Sequence, residues 1–362
     1  MLGTTDRFGS PFQAGDMRRR SVRRSAPAGL TLRFARALSG SLLLALIACS
    51  GTEPPDDDPP ADDPPDSDPP GTQIVFQASD DIHVVNADGS GLTRLTDHPD
   101  PDVVPSWSSD GRLIYFRSYR GGRGISDLYS MNPDGTDVRL VTDSVYSPYD
   151  VSPDGTRIAI GAQQVGAPGY PNLDLFVMKA DGSERTLILD LPCPFVDEDC
   201  EQLNALDWSP DGQRIAYSAR WPGHGGNVYG VIGIVNADGT GHRVLTSTAV
   251  RSTDPAWSPD GQRIVFSSGE TGTIIPSGLD IKVINADGSG EIVVLESGAD
   301  ISSPSWSPDG QSIVFAQTVP QGFAPEPKPS ELYVIHTDGT GLRRVIDAPG
   351  DEFAPDWNPA GP

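Results

Sequence analysis

The sequence predicts an all-β fold: a six-bladed β-propeller of four-stranded antiparallel blades, closed by pairing of its N- and C-terminal strands. Three observations lead there. The phrase Trp-Ser-Pro-Asp-Gly, or a near relative, recurs six times, starting at Trp107, Val151, Trp208, Trp257, Trp306 and Trp357. A second phrase, Asn-Ala-Asp-Gly or a variant, alternates with it, and its Gly residues (89, 135, 182, 239, 288, 339) lie 46, 47, 57, 49 and 51 apart. The two chain ends carry complementary parts of one unit. A period in the forties with Trp and turn signals marks propeller blades.

Each unit reads in order as four strands. Strand a is the short run ending in Trp, as in Pro255–Trp257. In the Ser-Pro-Asp-Gly tip that follows, Pro fixes φ near −65°, Asp tolerates the next position and Gly takes the left-handed one, giving a type I turn with a bulge. Strand b is the apolar run after it: 74–76, 113–116, 158–160, 215–217, 264–266 and 313–315. A variable connection leads to strand c, the Asn-Ala-Asp-Gly tip and strand d. These runs are β-rich and four to six residues long, as strands are. The chain ends with Ala354–Gly361, a strand a and its tip with no strand b, and the repeat region begins with Gln73–Ala78, a strand b with no strand a. Pairing the two completes the last blade and removes open sheet edges.

Three segments follow from composition: a leader at 1–48, a stalk at 49–72 and the propeller at 73–362. Residues 1–48 hold eight Arg against Asp6 and Asp16, leaving the remaining chain with 18 basic and 48 acidic residues. So acidic a surface repels nucleic acid and anionic lipid. The apolar run Ala37–Ala48 is twelve residues long, too short to span a bilayer as a permanent helix but suited to a signal peptide. It ends in Leu46-Ile47-Ala48-Cys49, which resembles the bacterial lipobox, with Cys49 as the lipidated first mature residue. Met17 is an alternative start, since residues 1–16 add nothing to the signal pattern. Ser50 after the Cys implies, by the same resemblance, outward sorting where an outer membrane exists. Ser50–Thr72 contains eight Pro and eight acids. It cannot bury a core and is expected to extend about 70 Å at ~3.1 Å per residue.

The repeat resembles the TolB-type WD-like propeller family. The resemblance covers about 73–362 and rests on the Trp-Ser-Pro-Asp-Gly and Asn-Ala-Asp-Gly phrases with the strands between them. TolB is a soluble periplasmic protein with an α/β domain before a propeller that binds the peptidoglycan-associated lipoprotein. Here a lipid-anchored stalk is expected in place of that first domain, so that partner does not transfer. A similar propeller precedes the catalytic domain of prolyl-oligopeptidase-like enzymes. The sequence contains no Gly-x-Ser-x-Gly elbow with a downstream Asp and His.

Function is expected on the face carrying the long, varied b–c connections and the d–a connections. Binding usually sits on variable loops held by a rigid scaffold. Candidate anchors are Arg117, Tyr119, Arg120, Arg123, Tyr170, Arg220, Trp221, Tyr229 and Phe323, since Arg and aromatics dominate interface energetics. The competing reading is that each packs its own loop. In propellers strand a lines the channel, and the residues before the Trp positions include Asp150, Asp207 and Asp356. Together they could hold Ca²⁺, or they could bond neighbouring backbone or water. No other cofactor is expected. Cys193 and Cys200, inside the longest spacing, read as a disulfide in an exported protein. A metal pair is the alternative, and it would need two further ligands. The five His are scattered, and no His-Glu-x-x-His, Cys-x-x-Cys or phosphate loop appears.

The sequence therefore points to a non-catalytic, monomeric envelope lipoprotein. It would hold a protein or glycan partner on its loop face, touch the membrane through the lipid alone, and bind no nucleic acid. Cell envelope, facing periplasm or surface, is the expected location. The alternative is a propeller lyase or hydrolase acting on envelope or extracellular carbohydrate.

Overall fold

The computed structural model describes residues 72–122, 124–145, 148–162, 174–191, 202–222, 228–248, 250–270, 278–318, 330–346 and 351–360. The leader, Cys49, the stalk as far as residue 71, Arg123, Tyr170, Cys193, Cys200 and Phe323 lie outside the described residues. Thr72, read as the last stalk residue, is buried, and its carbonyl accepts the Ala87 amide, so it belongs to the folded part.

The described residues form an all-β propeller of four-stranded antiparallel blades. The first sheet joins β1 (Gln73–Ala78), β2 (Asp81–Asn86) and β3 (Thr93–Arg94) to the last strand of the chain, β24 (Glu352–Trp357). Ile74 pairs with Trp357 and Val75 with Asp356, so the expected partnership of head and tail is present in register. The second sheet holds β4 (Asp102–Trp107), β5 (Ile114–Ser118), β6 (Asp127–Met131) and β7 (Arg139–Thr142). The third holds β8 (Tyr149–Val151), β9 (Arg157–Ala162), β10 (Asp174–Lys179) and β11 (Thr186–Leu189).

Two further sets are β12 (Gln202–Trp208), β13 (Arg214–Pro222), β14 (Val228–Asn236) and β15 (Arg243–Val244), then β16 (Val250–Trp257), β17 (Arg263–Glu270), β18 (Asp280–Asn285) and β19 (Ile292–Leu295). These two are hydrogen-bonded into one eight-stranded sheet through a single parallel bridge, Gly230 to Arg251. The cause is local. β14 runs nine residues while β15 has two, so the start of β14 passes beyond β15 and meets β16. Only a residue without a side chain permits that approach: a Cβ on Gly230 would sit 2.7 Å from the Ser252 carbonyl oxygen. The last set is β20 (Ile301–Trp306), β21 (Ser312–Thr318), β22 (Ser330–His336) and β23 (Arg343–Arg344).

The tips form as their residues dictate. In the tip after Trp257, the Gly261 amide reaches Ser258 O at 2.8 Å and the Ser258 amide reaches Arg263 O at 2.9 Å, with Gly261 at φ +65°. Asp260 Oδ1 accepts the Ser258 hydroxyl at 2.6 Å and the Gln262 amide at 3.0 Å. The Asn-Ala-Asp-Gly tips repeat the scheme, Asp88 Oδ1 taking both the amide and the hydroxyl of Ser90.

The core lies between sheets rather than within them, because the b strands are buried on both faces. Val75 and Val84 pack on Trp107 and Phe116, and Tyr115 and Leu128 pack on Tyr149 and Ile158. Leu175 and Val177 pack on Trp208 and Ile215, and Ala216 and Ile232 on Trp257 and Phe266. Val265 and Ile281 pack on Trp306 and Phe315, and Val314, Leu332 and Val345 pack on Ile74, Phe76 and Trp357. Arg side chains at the start of strand b reinforce three of these junctions: Arg157 lies 4.6 Å over Trp208, Arg214 4.4 Å over Trp257 and Arg263 4.8 Å over Trp306.

Two b–c connections are shorter than expected. Strand b, read from the sequence as 215–217, runs on: β13 continues to Pro222 and β14 begins at Val228, in register through the Trp221–Tyr229 pair. Likewise β17 extends to Glu270. The reason is cross-strand pairing, which extends a hairpin past its apolar segment when opposing residues fit. Gly233 in β14 offers a test of this packing. A Cβ there would lie 2.4 Å from the Tyr217 ring. Gly233→Ala is expected to lower stability by about 1–3 kcal/mol in urea unfolding.

Candidate functional site: the channel and its loop-face mouth

A cavity of about 530 Å³ runs along the inner strands, lined by residues of β4, β8, β12, β16, β20 and β24 and by the tip residues Pro153, Pro210, Pro259, Pro308 and Pro359. Its wall carries Asp150, Asp207, Asp254 and Asp356. All four are partly exposed to the cavity and enclosed by protein elsewhere.

Their oxygens are already engaged. Asp356 Oδ2 accepts the Trp107 amide at 2.8 Å, Asp150 Oδ2 the Trp208 amide at 2.6 Å, and Asp207 Oδ2 the Trp257 amide at 2.5 Å. Asp356 Oδ1 accepts the Ser305 hydroxyl at 2.8 Å, and Asp254 Oδ2 the Ser303 amide at 3.4 Å. Each carboxylate thus bonds a strand of a neighbouring set, the backbone-bonded alternative foreseen for Asp150, Asp207 and Asp356. Among the described residues, no group of three or more His, Cys, Asp and Glu side chains is placed to hold a metal ion.

Enclosure has an electrostatic consequence. Burial disfavours the charged form and pushes Asp150 up to about 7, opposed by its amide hydrogen bonds and helped by the nearby Asp356 charge. Burial, then the charges of Asp150 and Asp356, holds Asp207 well above the carboxylate range. Burial raises Asp356 to about 6 and also raises Asp254.

The backbone at the loop-face end is strained. Val104, Asp254, Ser303 and Ala354, each three residues before a Trp and one before a Pro, have φ of +53°, +53°, +51° and +47°. For Val104, β-branched, this left-handed conformation is a genuine outlier. The strain is held by neighbours: Gln77 Oε1 accepts the Val104 amide at 3.2 Å, and the Tyr149 hydroxyl donates to Val104 O at 2.7 Å.

The described anchors separate by environment. Arg117, expected to be exposed, is buried to 7% exposure, because it lies inside β5 facing the next sheet and not in the loop. Arg120 pairs with Asp102 at 2.7 Å and stacks 4.9 Å over Tyr129, so it packs its own sheet. Tyr119 is half-buried and accepts a hydrogen bond from Arg117. Arg220 is exposed and Tyr229 half-buried, on the paired β13 and β14. Sequence reasoning missed Asp254 and Tyr149 in the channel wall. The signal for Tyr149 was present, since it stands where four other units have Pro.

Comparison with known proteins agrees with this architecture. Residues 61–192 match the family described as TolB beta propeller domain. The chain resembles two solved TolB structures, that of Acinetobacter baumannii (17% identity, TM-score 0.61, covering 79% of this chain and 66% of the other) and a putative TolB from Agrobacterium tumefaciens (18%, 0.56, 79% and 98%). Residues 61–192 are therefore similar to the TolB beta propeller family, and the two TolB structures share the propeller fold.

Among curated proteins, an uncharacterized protein of Agrobacterium fabrum is 32% identical over 147 residues, 39% of this chain and 48% of its own length. The match thus spans about half of that relative. The propeller also resembles an oligogalacturonate lyase from Vibrio parahaemolyticus (15% identity, TM-score 0.50, 76% and 74% coverage). At such identities the likeness is one of fold.

Proposed function

We propose that this TolB-type propeller is a closed ring of six four-stranded blades, and that it works as a non-catalytic binding module at the cell envelope, carried on a stalk from a lipid at Cys49. Its loop face holds a protein or glycan partner. The observation that carries the binding reading is the commitment of the channel carboxylates. Asp150, Asp207 and Asp356, the groups best placed for acid–base work, each spend an oxygen on a Trp amide of the adjoining blade. Groups tied in this way stiffen a scaffold and leave recognition to the loops. The ring reading is supported by the β1–β24 register and by packing of the first sheet against β21 and β22. Among the described residues one pair joins the two central sets, which supports counting them as separate blades.

Capture from solubilised membranes by the lipid-anchored protein tests the reading. Shortening the β5–β6 and β21–β22 connections is expected to abolish capture. Replacing the exposed tip acids Asp88 and Asp287 by Ala is expected to leave it intact. Capture that survives loop shortening and fails with the tip variants would overturn the assignment of the working face.

The second reading, a lyase or hydrolase acting on carbohydrate, draws on the fold shared with the oligogalacturonate lyase. It predicts cleavage of polygalacturonate by the purified protein, with unsaturated products from a lyase and saturated ones from a hydrolase, an activity the binding reading does not allow.

A further inference from the structure

The most informative of the described anchors is one the ring does not need. Arg117 stands at a strand-b position occupied in the other units by Gln77, Gly161, Ser218, Ser267 and Ala316. Four different small or neutral residue types serve there in five units, so the blade's fold places no demand for a cation. Tyr149, two positions before Val151, replaces the Pro found at 105, 255, 304 and 355. Both departures from the repeat meet at the same junction, between the second and third sheets, where Tyr115 packs on Tyr149.

The guanidinium of Arg117 is buried but has no counter-charge among the described residues. Its Nε donates to Ser126 Oγ at 2.9 Å and its Nη2 to the Tyr119 hydroxyl at 3.1 Å, both neutral acceptors. Ser126 in turn donates to Val145 O at 2.8 Å, which fixes the hydroxyl as an acceptor for Nε. The acids close by in sequence are engaged elsewhere: Asp102 with Arg120, and Asp127 with the Ser144 amide. A buried charge lacking an opposite charge is costly. In a chain with 50 acidic residues, a counter-ion from within was readily available. Nη1 meets no acceptor among the described residues and is not sealed from the surface.

We propose that Arg117, with the Tyr119 hydroxyl beside it, is a receptor for a carboxylate carried by a peptide segment of the partner. This inference rests on the loop-face binding reading and deepens it. A guanidinium presents paired N–H donors that match a planar carboxylate. Arg117 supplies Nη1 and the free edge of Nη2, and Tyr119, whose oxygen accepts from Arg117, keeps its own proton to donate. The residual 7% exposure of Arg117 selects the kind of carboxylate. A Glu or Asp side chain, or a chain terminus, brings the group on a thin stem, whereas a uronic acid carries it flush against a pyranose ring. The Tyr149 hydroxyl donates to Val104 O, which fixes that ring at the junction between the second and third sheets.

Isothermal titration of the full chain with N-acetyl-glutamic acid amide, sodium galacturonate and inorganic phosphate tests the proposal. The glutamyl probe is expected to bind saturably, and Arg117→Gln, a side chain the repeat already accepts at position 77, is expected to weaken it at least ~10-fold with the melting temperature preserved. Arg117→Lys, which keeps the charge but not the fork, is expected to lose several-fold. Should Arg117→Gln fail to fold, Tyr119→Phe gives the same reading through a several-fold loss. Equal binding by wild type and Arg117→Gln, no saturable binding by any probe, or tighter binding of galacturonate or phosphate would each overturn it. Membrane capture separates the two levels: a partner lost on loop shortening but retained by Arg117→Gln leaves the loop-face reading standing and removes this one.

Discussion

Replacing Trp357 by Ala is expected to destabilise the protein by about 3–5 kcal/mol, although the residue stands five positions from the end of the chain. Chain ends are ordinarily the most tolerant part of a domain. Trp357 differs because it is 2% exposed and packs with Ile74, Phe76, Val314 and Leu332, residues from both ends of the repeat region. Its indole N–H meets no acceptor among the described residues, so the loss is one of apolar contact and cavity formation. Trp257→Ala, in the middle of the chain at an equivalent site, is expected to cost the same within about 1 kcal/mol. Equilibrium unfolding in urea measures both. A cost below ~1 kcal/mol for Trp357 with a full cost for Trp257 would mean that the tail is not part of the cooperative unit.

The second large effect concerns pH. Burial raises the folded-state pKa of Asp150, Asp207, Asp254 and Asp356 above the unfolded value near 3.8. Between that value and the raised ones, the folded state binds more protons than the unfolded, so stability falls as pH rises. The loss begins above about pH 4 and is complete once pH passes the raised values, near 6 for Asp356 and 7 for Asp150.

The tip aspartates act in the opposite sense. Hydrogen bonds from Ser and Thr side chains hold Asp154 down to about 2 and also lower Asp88, Asp134, Asp260 and Asp287. Their contribution is present above the unfolded value and is lost as pH falls below it. Maximum stability is therefore expected near pH 4–5, lower than for most domains.

Asp207→Asn isolates the effect, because among the described residues one of its oxygens has a partner, the Trp257 amide, and an amide oxygen accepts that bond equally. One pK unit corresponds to about 1.4 kcal/mol. The variant is expected to melt about 2–4 °C above wild type at pH 8 and level with it near pH 3, below the unfolded value. A lower melting temperature at pH 8 would show that the carboxylate charge stabilises the channel, contrary to the account.

What could be read from the sequence was what neighbours in the chain decide. The Ser-Pro-Asp-Gly tips were legible because Pro, Asp and Gly set their own backbone and Asp260 bonds only residues within two positions. The complementary ends were legible because the missing strand b after Trp357 is itself a sequence pattern. What stayed hidden depends on residues some fifty or more positions away. The partner of Asp150 is the amide of Trp208, and that of Asp356 the amide of Trp107. No local pattern distinguishes such an arrangement from a cation site. Arg117 was read as a loop anchor because it follows an apolar run and precedes a Gly-rich stretch, but its burial is set by the next sheet. The bridge at Gly230 was invisible because its partner, Arg251, lies in the next set of strands, beyond the reach of any local pattern.

The central claim is that the tail of the chain is a structural strand joined to its head, and amide hydrogen exchange of the full chain tests it most directly. If Ile74 faces Trp357 in a closed ring, the amides of 73–78 and 352–357 exchange together, and as slowly as those of β16 and β20, because opening them requires opening the whole ring. Exchange of 352–357 at the rate of a frayed terminus, with β16 and β20 still protected, would contradict the ring and the working face derived from it.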